Sequence, residues 1–395
     1  MPSLLRGAVS VFAVEHDSLQ ITWSRLQRAQ VRFQIGDQSF DVDATPPEWY
    51  RRTGGLRAGE GNGGPGALTA PGLEPSTSYD VLLSGDGIPR RRVAVATTLG
   101  KPPGRLLSRF ATISDCHFGE RRLGALHRLH DPAPRPDGLE PYPVRCAASA
   151  IEEAENWGAS MIVAKGDLTQ DSKAAEYETA VDVLGRASVP VAITFGNHDV
   201  RGPVPVERAA DMLSAQGFIA AASTRVVDMD GLRLVLSHTP VPDRHVGRMT
   251  STDIEEVIGA ARDTALPVVV ALHHPLRRWP VHTHYPPPLG WADSRELSRG
   301  LRAANARSLV IAGHTHRNRR YRVGGVTVVE VGSTKDYPGQ WAGYSVYEGG
   351  IRQVVRRVER RDAVAWTQMT GRAVGGIWRW WSPGDLDDRC WSIEW

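Results

Sequence analysis

Residues 189–199 read VPVAITFGNHD, in which an apolar run passes directly into glycine and three polar side chains. The run 189–195 has the length and β-branched content of a strand that is buried on both faces. In open α/β sheets, ligands bind beyond the carboxyl ends of the strands. The motif Gly196-Asn197-His198-Asp199 stands at that position. This stretch therefore predicts an α/β fold with functional side chains at one edge of its sheet.

Four further motifs stand in the same relation to a short apolar run, with helix-sized gaps between them. The runs at 110–113, 161–164, 268–272 and 309–312 precede, in that order, Asp115-Cys116-His117, Gly166-Asp167, His273-His274-Pro275 and Gly313-His314-Thr315-His316. We therefore expect five strands of a largely parallel sheet, with all five motifs beyond their carboxyl ends.

The motifs supply oxygen and imidazole ligands in numbers that suit two metal ions. In Asp115-x-His117 and His314-x-His316 the side chains are two residues apart, so in extended backbone each pair points the same way. Carboxylate, carboxamide and imidazole without thiolate favour iron, manganese or zinc. Asp167 stands between the other motifs and can bridge two ions. Two ions about 3.5–4 Å apart hold a hydroxide at neutral pH and clamp the oxygens of a displacement at phosphorus.

Each motif alone has a simpler explanation. A single His-x-His is more often a pair of hydrogen-bonded histidines than a metal site, and Gly-Asn-His-Asp is also a sequence that turns prefer. The ordered set of five motifs, each at a strand end, favours the metal site over these explanations.

The set resembles the calcineurin-like metallophosphoesterase superfamily, whose pattern runs D-x-H, G-D, G-N-H-D, H, G-H-x-H, and the match covers roughly residues 105–345. The resemblance implies a β-sandwich flanked by helices in αββα layers. It implies two divalent or trivalent ions (Mn, Fe or Zn), the first held by Asp115, His117, Asp167 and His316 and the second by Asp167, Asn197, His273 and His314. It also implies that His198 contacts the scissile phosphate and assists the leaving group, while Asp199 orients its ring.

Several assignments have alternatives. His273 and His274 are adjacent and face opposite ways in a strand, so only one can be a ligand, and the family pattern favours His273. Cys116 is expected to pack as a small hydrophobic residue. Asp171 is either a sixth acidic ligand or, as we expect, the N-cap of the following helix. His238 is expected to be a hydrogen-bonded structural residue, with substrate contact as the alternative.

The subfamily is indicated by one departure and two matches. Purple acid phosphatases carry a ligating Tyr three residues after the bridging Asp, where this chain has Gln170. Gly166-Asp167-Leu168-Thr169 and the Gly-His-Thr-His ending are similar to bacterial class III cyclic-nucleotide phosphodiesterases and their relatives. This resemblance implies hydrolysis of a small, nucleotide-like phosphodiester. The alternative is a phosphomonoesterase or phosphoprotein phosphatase with the same metal core.

The first hundred residues show alternating strands and no helical period. Residues 72–79, GLEPSTSY, resemble the E–F corner of fibronectin type III domains, where the hydroxyl of a Tyr (here Tyr79) bonds to nearby backbone. Trp23 would be the buried tryptophan of that sandwich. The predicted domains are a fibronectin type III-like sandwich at 1–99, a linker at 100–104, the phosphoesterase domain at 105–350, and a tail at 351–395 that packs on the core. A chain starting near Lys101 should keep the metal centre.

Helical spacing occurs at 144–157, 173–184, 206–216, 252–264 and 294–304, with Thr252-x-x-Glu255 as a capping box. Two loops that follow ligands are basic, 118–143 and 275–289. Their arginines are candidates to grip phosphate, and Trp279 to stack on a flat group, unless the loop is only a solvated surface with Trp279 packed beneath it. The tail's five tryptophans, between 378 and 395, are expected to fasten it to the core or to a second subunit.

Composition excludes several classes of protein. A formal net charge of +3 on 395 residues makes a nucleic acid polymer an unlikely substrate. Three scattered cysteines do not form a disulfide framework. No segment reads as a signal peptide or a membrane span, so we expect a cytoplasmic protein without a membrane partner, for which a homo-oligomer is open. A purely binding role for the fibronectin-like domain would leave the complete ligand set idle.

Overall fold

The computed structural model describes residues 9–52, 61–121, 138–220, 222–281, 283 and 285–395. Its N-terminal region contains the strands β1 (Ser10–Val14), β2 (Leu19–Trp23), β3 (Gln30–Ile35), β4 (Gln38–Asp43), the helix α1 (Glu48–Arg52), and the strands β5 (Gly66–Ala70), β6 (Ser78–Gly85) and β7 (Ile88–Thr97). The strands form two antiparallel sheets, β1-β2-β5 and β4-β3-β6-β7. The small all-β region is thus present, although the one-turn helix α1 was not predicted.

Two aromatic residues hold this region together. Trp23 is buried, and its ring centroid lies 5.1 Å from that of Phe33 on the facing sheet. The Tyr79 hydroxyl accepts a hydrogen bond of 2.8 Å from the backbone N–H of Glu74, which is the predicted kind of contact. The specific likeness to fibronectin type III stays a prediction.

The next part of the chain builds a seven-stranded sheet from alternating strands and helices. It contains β8 (Leu106–Ile113), α2 (Tyr142–Asn156), β9 (Ile162–Lys165), α3 (Ala174–Leu184), β10 (Val191–Thr194), α4 (Val206–Ala215) and β11 (Ile219–Ala220). The four strands pair in parallel in the order β11-β10-β9-β8. Because β8, β9 and β10 are buried along their carboxyl-terminal halves, their sequences are continuous apolar runs, as predicted.

A second, six-stranded sheet follows. It contains β12 (Arg225–Met229), β13 (Leu232–Leu236), α5 (Ser251–Arg262), β14 (Val268–Ala271), α6 (Trp291–Ala304), β15 (Ser308–Ala312), β16 (Arg319–Val323) and β17 (Val326–Glu330), in the sheet order β12-β13-β14-β15-β17-β16. The strands β13, β14, β15 and β17 are parallel. The five motif-bearing strands are therefore divided between two sheets.

The remainder of the chain returns to the first sheet. It contains β18 (Gln340–Tyr347), β19 (Gly350–Arg357), α7 (Arg361–Thr370), α8 (Ala373–Trp381), α9 (Leu386–Arg389) and β20 (Cys390–Glu394). β18 pairs antiparallel with β8, and β19 and β20 extend the sheet outward. Residues after 350 thus supply two strands of the core sheet. The predicted domain boundaries stay predictions.

The two sheets pack face to face, with helices on both outer faces. One apolar cluster joins residues of both sheets, such as Tyr344 and Leu309, and also includes Phe12 and Phe33 of the N-terminal region. Separate clusters lie under α2, α3, α4 and α7 on one outer face and under α5 and α6 on the other. The αββα architecture is therefore confirmed. Within the described part of the chain, every helix is too short or too polar to span a bilayer.

Two helix caps differ from the prediction. The capping box of α5 is formed by Thr250 and Asp253 rather than by Thr252 and Glu255, since Thr250 Oγ1 accepts from the N–H of Asp253 at 3.1 Å. α5 begins at Ser251, so Thr250 is its N-cap and Thr252 already lies inside the first turn. Asp171 does not cap α3, which begins after Lys173. The Asp171 carboxylate instead binds the side chains of Lys173 and Arg201, each at 2.8 Å.

Candidate metal centre

The structure brings all seven predicted ligands together beyond the carboxyl ends of β8, β9, β10, β14 and β15. Ligand atoms of Asp115, His117 and His316 lie within 4.8 Å of one another, as do those of Asp115, Asp167 and His273. Asn197 Oδ1 lies 3.3 Å from His273 Nε2, and His314 Nδ1 lies 3.1 Å from the same nitrogen. The two halves of the predicted centre thus share one continuous cluster.

The backbone at the ligands is not extended, and the assumption that paired the side chains by strand alternation is wrong. Asp115, His117, Asp167, His314 and His316 all have φ between 50° and 70°. Non-glycine residues rarely adopt this left-handed conformation, and each costs of order 1–3 kcal/mol. Backbone hydrogen bonds hold the strained loops side by side, since the N–H of His117 donates to the carbonyl of Asp167 at 2.9 Å. Strain concentrated on the ligands marks this sheet edge as functional.

The glycines of the motifs permit the close approach of the loops. A Cβ on Gly196 would overlap Asp167 Oδ1, and a Cβ on Gly313 would overlap Ser114 Oγ. Neither position has room for a side chain. Glycine therefore precedes the ligands in these motifs because neighbouring ligand loops occupy the space.

The two oxygens of Asp167 have different partners. Oδ1 accepts a hydrogen bond of 2.8 Å from the backbone N–H of His198. Oδ2 lies 3.7 Å from His117 Nε2 and 3.3 Å from His273 Nε2, between the two groups of ligands. Asp167 is thus positioned where the predicted bridge would be.

In each of the four predicted histidine ligands, one ring nitrogen faces an acceptor that fixes the tautomer. The nitrogen–oxygen pairs are His117 Nδ1 with Gln170 Oε1 (3.0 Å), His273 Nδ1 with the Lys165 carbonyl (2.9 Å), His314 Nε2 with the Pro287 carbonyl (3.0 Å), and His316 Nδ1 with Asp336 Oδ2 (2.7 Å). A carbonyl or carboxylate oxygen only accepts, so the facing nitrogen donates its proton. In the neutral ring, the other nitrogen then presents a lone pair toward the centre of the cluster, as in metal-binding histidines.

These lone pairs fit a cation. When both rings are neutral and protonated on their other nitrogens, the lone pairs of His273 Nε2 and His314 Nδ1 face each other at 3.1 Å, and a bound cation would offset their repulsion. His117 Nε2 is buried and has no hydrogen-bond partner among the described residues. Buried polar atoms normally have partners, and a coordinated metal ion would supply one. The donor set therefore fits the metal ions that the resemblance implies.

The pKa values of two histidines report a negative potential in the cluster. Burial by itself lowers the pKa of His316, but Asp115 and Asp336 outweigh it and raise the pKa to about 10. Burial likewise lowers the pKa of His273, but the carboxylates of Asp167 and Asp115 outweigh it and raise that pKa to about 9. The rings of His273 and His316 therefore attract either a proton or a metal cation, and protons must compete with metal ions for these sites.

The neighbouring His274 differs from His273 in its contacts. Its Nδ1 lies 2.9 Å from Thr239 Oγ1, and its ring centroid is 4.3 Å from that of His314. His273, by contrast, lies within 3.3 Å of both Asp167 and Asn197. His274 Nε2 is also buried without a hydrogen-bond partner among the described residues and groups with His273 and His314, so the contacts to Asp167 and Asn197 are what favour His273 as the ligand of the pair. His238 is half-buried after β13, and its substrate contact stays untested.

His198 stands beside the cluster, and its predicted partner is wrong. Its Nδ1 donates to the carbonyl of Gln170 at 2.9 Å, while its Nε2 lies 3.3 Å from Arg201 Nη1. Asp199 does not touch the ring, since its carboxylate accepts from the N–H groups of Gly196, Leu168 and Thr169. Burial and the nearby Asp167 raise the pKa of Asp199 to about 6. Asp199 therefore shapes the motif loop, and Gln170 orients His198.

A cavity of about 450 Å³ opens next to Asn197 and Arg201. Its other charged or ring-bearing lining residues are Asp171, Lys173, Asp243, Arg244 and His245. The guanidinium of Arg201 also donates to the carbonyl of Gln170 and to Asp171, which holds it at the cavity wall. The cavity thus offers basic side chains beside the ligand cluster, and this is the charge that a phosphoester needs.

A family model described as calcineurin-like phosphoesterase matches residues 108–318, just over half of the chain. The chain belongs to this family. A protein of Psychrobacter arcticus named as a probable cyclic nucleotide phosphodiesterase is 28% identical over 191 residues, which cover 44% of this chain and 63% of that protein. A protein of Mycobacterium tuberculosis named as a cAMP/cGMP dual specificity phosphodiesterase is 27% identical over 220 residues, which cover 52% and 60% of the two chains.

The chain spans 55% to 70% of the length of these and two further curated relatives. Among solved structures, a purple acid phosphatase from yellow lupin seeds aligns with a TM-score of 0.46 and 13% identity, over 90% of this chain and 76% of that one. Membership in the calcineurin-like phosphoesterases confirms the class of hydrolase that the motifs predicted.

Sequence reasoning missed several residues that contact the cluster of this phosphoesterase. Asp336 holds His316 and forms a buried ion pair with Lys335, which also pairs with Glu120 at 2.7 Å. Nothing in the stretch Ser333-Thr334-Lys335-Asp336 indicates this role. Arg201 had a weak signal, as a basic residue three positions after His198.

The tryptophans of the tail differ in their surroundings. Trp391 is buried and Trp381 Nε1 donates to the carbonyl of Thr315 at 3.4 Å, as expected of anchoring residues. Trp378, however, stacks on His316 with 5.9 Å between ring centroids and 19° between planes. Trp380 is 82% exposed. Trp380 therefore does not fasten the tail to the core, and packing of its ring on a second subunit stays a prediction.

Proposed function

We propose that this phosphoesterase hydrolyses a small, nucleotide-like phosphodiester with two divalent or trivalent ions. The observation that carries the proposal is the position of Asp167 Oδ2 between His117 and His273, at 3.7 and 3.3 Å from their Nε2 atoms. One carboxylate placed between two sets of ligands suits a pair of ions better than a single one. The names of the relatives, which specify cyclic nucleotides, support a diester over a monoester.

Two sets of residues would hold the ions. Asp115, His117 and His316 with Asp167 form the first set, and Asp167, Asn197, His273 and His314 form the second. When bound, such ions lower the pKa of a water molecule and neutralise charge on a phosphoryl group. Manganese, iron and zinc all accept this combination of carboxylate, amide and imidazole.

The remaining residues of the cluster bind and orient the substrate. Arg201, whose Nη2 is held by Gln170 and Asp171, can donate from its remaining N–H groups to a non-bridging phosphate oxygen. His198 lies 3.3 Å from Arg201 and faces the same space, so it is positioned to contact the leaving oxygen. The adjoining cavity of about 450 Å³ has the size of a nucleotide-scale ligand.

Hydrolysis of paired substrates tests this proposal. Metal-loaded protein should cleave bis-p-nitrophenyl phosphate faster than p-nitrophenyl phosphate, and cyclic nucleotides should compete with the diester. Arg201→Gln should raise KM for the diester and leave the metal content unchanged, while Arg225→Gln, at an exposed position on β12, serves as the matched control. Faster cleavage of the monoester would favour the phosphatase alternative instead.

A further inference from the structure

Two segments of the chain contact the ligands of the Gly313-His314-Thr315-His316 motif from outside. The carbonyl of Pro287, in the loop 277–289, lies 3.0 Å from His314 Nε2. The ring of Trp378, in α8, stacks on His316. Both segments therefore border the candidate metal centre directly.

α8 carries apolar side chains on both its inner and its outer side. Trp378 and Trp381 face inward, the second with the Arg317 guanidinium 4.4 Å from its ring centroid. Ile377 and Trp380, one position before each, are 51% and 82% exposed. Trp378 and Trp381 therefore pack α8 against the core, whereas Ile377 and Trp380 are exposed to solvent.

The loop 277–289 exposes apolar residues in the same way. Trp279, Val281 and Tyr285 are 53%, 69% and 62% exposed. Among the described residues, nine large hydrophobic side chains are exposed, and five of the nine lie on these two segments. Singly scattered apolar residues need no explanation, but a concentration beside a functional site does.

The charge of the two segments has one sign. Residues 277–289 and 372–381 contain four arginines and no Asp or Glu. Arg278, Arg372 and Arg379 are exposed. Tryptophan, tyrosine and aliphatic tips flanked by arginine are typical of elements that lie in the interface of an anionic bilayer.

Other occupants fit these observations less well. A flat small ligand would need a site that encloses it, whereas Trp380 and Val281 project into solvent. A second copy of the chain, docked through the same face, would place arginine against arginine with no acidic partner in either segment. An anionic lipid surface offers both the apolar layer and the opposite charge.

We propose that α8 and the loop 277–289 dock on an anionic phospholipid surface, with the apolar tips at headgroup depth and the arginines against the lipid phosphates. The metal centre then faces the bilayer. Vesicle binding does not require hydrolysis, so this inference stands apart from the proposed function. Its consequence, that the phosphodiester is presented at a membrane, rests on the proposed function.

Vesicle flotation of the full-length, metal-loaded chain tests the proposal. We expect binding to vesicles of phosphatidylglycerol and phosphatidylcholine, and little binding to phosphatidylcholine alone or in high salt. Ile377→Ser with Trp380→Ser should weaken binding about tenfold or more. Arg278→Gln and Arg379→Gln should each weaken it about fivefold. Val95→Ser with Val226→Ser removes two exposed apolar side chains elsewhere and should change nothing.

Three outcomes would overturn the inference. They are absence of binding to phosphatidylglycerol vesicles, equal binding by the Ile377→Ser, Trp380→Ser variant, and a dimer in light scattering that this variant dissociates. Cleavage of bis-p-nitrophenyl phosphate by each variant shows that it is folded. Cleavage of the diester without vesicle binding would refute only the proposed membrane-docking surface. Vesicle binding without cleavage would refute only the proposed function.

Discussion

Asp336 Oδ2 lies 2.7 Å from His316 Nδ1, and this carboxylate fixes which nitrogen of the ring faces the candidate metal centre. The same oxygen is 3.0 Å from the buried ammonium of Lys335. The charged Lys335 and His316 hold the pKa of Asp336 well below its usual range, against burial, which would raise it. Asp336 is therefore ionised at neutral pH and strengthens the basicity of the His316 lone pair.

Asp336→Asn should weaken metal binding at His316 by about 10- to 100-fold, because the amide can accept the His316 proton without supplying charge. The measurement is the apparent Kd for manganese in a competition assay with a chelating dye. Glu120→Gln is the matched control, since it alters the other partner of Lys335 without touching His316. Unchanged affinity in Asp336→Asn would show that His316 is not a ligand.

Removal of Asp167 should empty both metal sites, because its Oδ2 lies between the two sets of ligands. Asp167→Ala should lose both metal ions on dialysis, whereas His316→Ala should mainly weaken one site. Elemental analysis of dialysed protein gives the count of ions per chain. Asp171→Ala, four residues away and outside the cluster, should keep two ions. A single ion in active wild-type protein would contradict the dimetal proposal.

The strand ends and the polar side chains that cluster beyond them were predictable because their signals are local. A buried strand demands a continuous apolar run, and a polar motif directly after it must lie at the sheet edge. The runs before Asp115 and Asn197 gave this information without any contact being known. The division of the strands between two sheets came only from the family resemblance, since both sheets carry the same kind of run.

Other features depend on contacts between distant residues. Asp336 reaches His316 across a turn between β17 and β18, and Trp378 reaches it from the far end of the chain. Neither has a local pattern. Alternation failed at Asp115-x-His117 for a related reason, because the neighbouring loops impose a left-handed backbone that no residue pattern announces.

Glu153 should make the protein less stable as pH rises through the acidic range. Burial raises its pKa from near 4.5 to about 7, so the folded state holds a proton that the unfolded state has already released. Stability is therefore full below pH 4.5 and falls until pH 7, by about 2 kcal/mol between pH 5 and pH 7. Urea unfolding at several pH values measures this loss.

Glu153→Gln should remove that part of the pH dependence while it keeps an acceptor for Trp341 Nε1, which donates to the Glu153 carboxylate at 3.1 Å. Glu152→Gln, an exposed neighbour on α2, is the control and should keep the wild-type slope. Parallel curves for wild type and Glu153→Gln would contradict the shifted pKa.

A chain starting at Lys101 should bind metal but unfold more easily. All predicted ligands follow residue 110, yet the N-terminal region shares an apolar cluster with the core sheet. It also supplies Thr22 Oγ1, which accepts from the buried guanidinium of Arg357 at 2.7 Å. Since each buried apolar side chain contributes about 1.5–3 kcal/mol, we expect a loss of roughly 5 kcal/mol or more in urea unfolding.

In the full-length chain, Thr22→Val isolates one part of this contact. It removes a partner of Arg357 and should cost about 1–3 kcal/mol without changing the metal content. A folded chain from Lys101 with wild-type stability would show that the two regions are independent, and one that lacks metal would show that the predicted boundary is misplaced.

His198 should contribute to turnover without holding a metal ion. Burial lowers its pKa to about 4, and the positive charge of Arg201 contributes to this shift, so the free ring is neutral at pH 7. It becomes a proton donor only when a bound anionic phosphate raises that pKa. His198→Ala should lower kcat by about 10²- to 10⁴-fold with both ions retained. The loss should be smaller for bis-p-nitrophenyl phosphate than for a diester with a poor leaving group, because nitrophenolate needs little protonation.

Equal losses for the two substrates would mean that His198 acts by positioning Arg201, whose Nη1 lies 3.3 Å from the His198 ring. Loss of a metal ion from His198→Ala would refute the assignment, since the proposed ligands Asn197 and Asp167 remain in place in that variant.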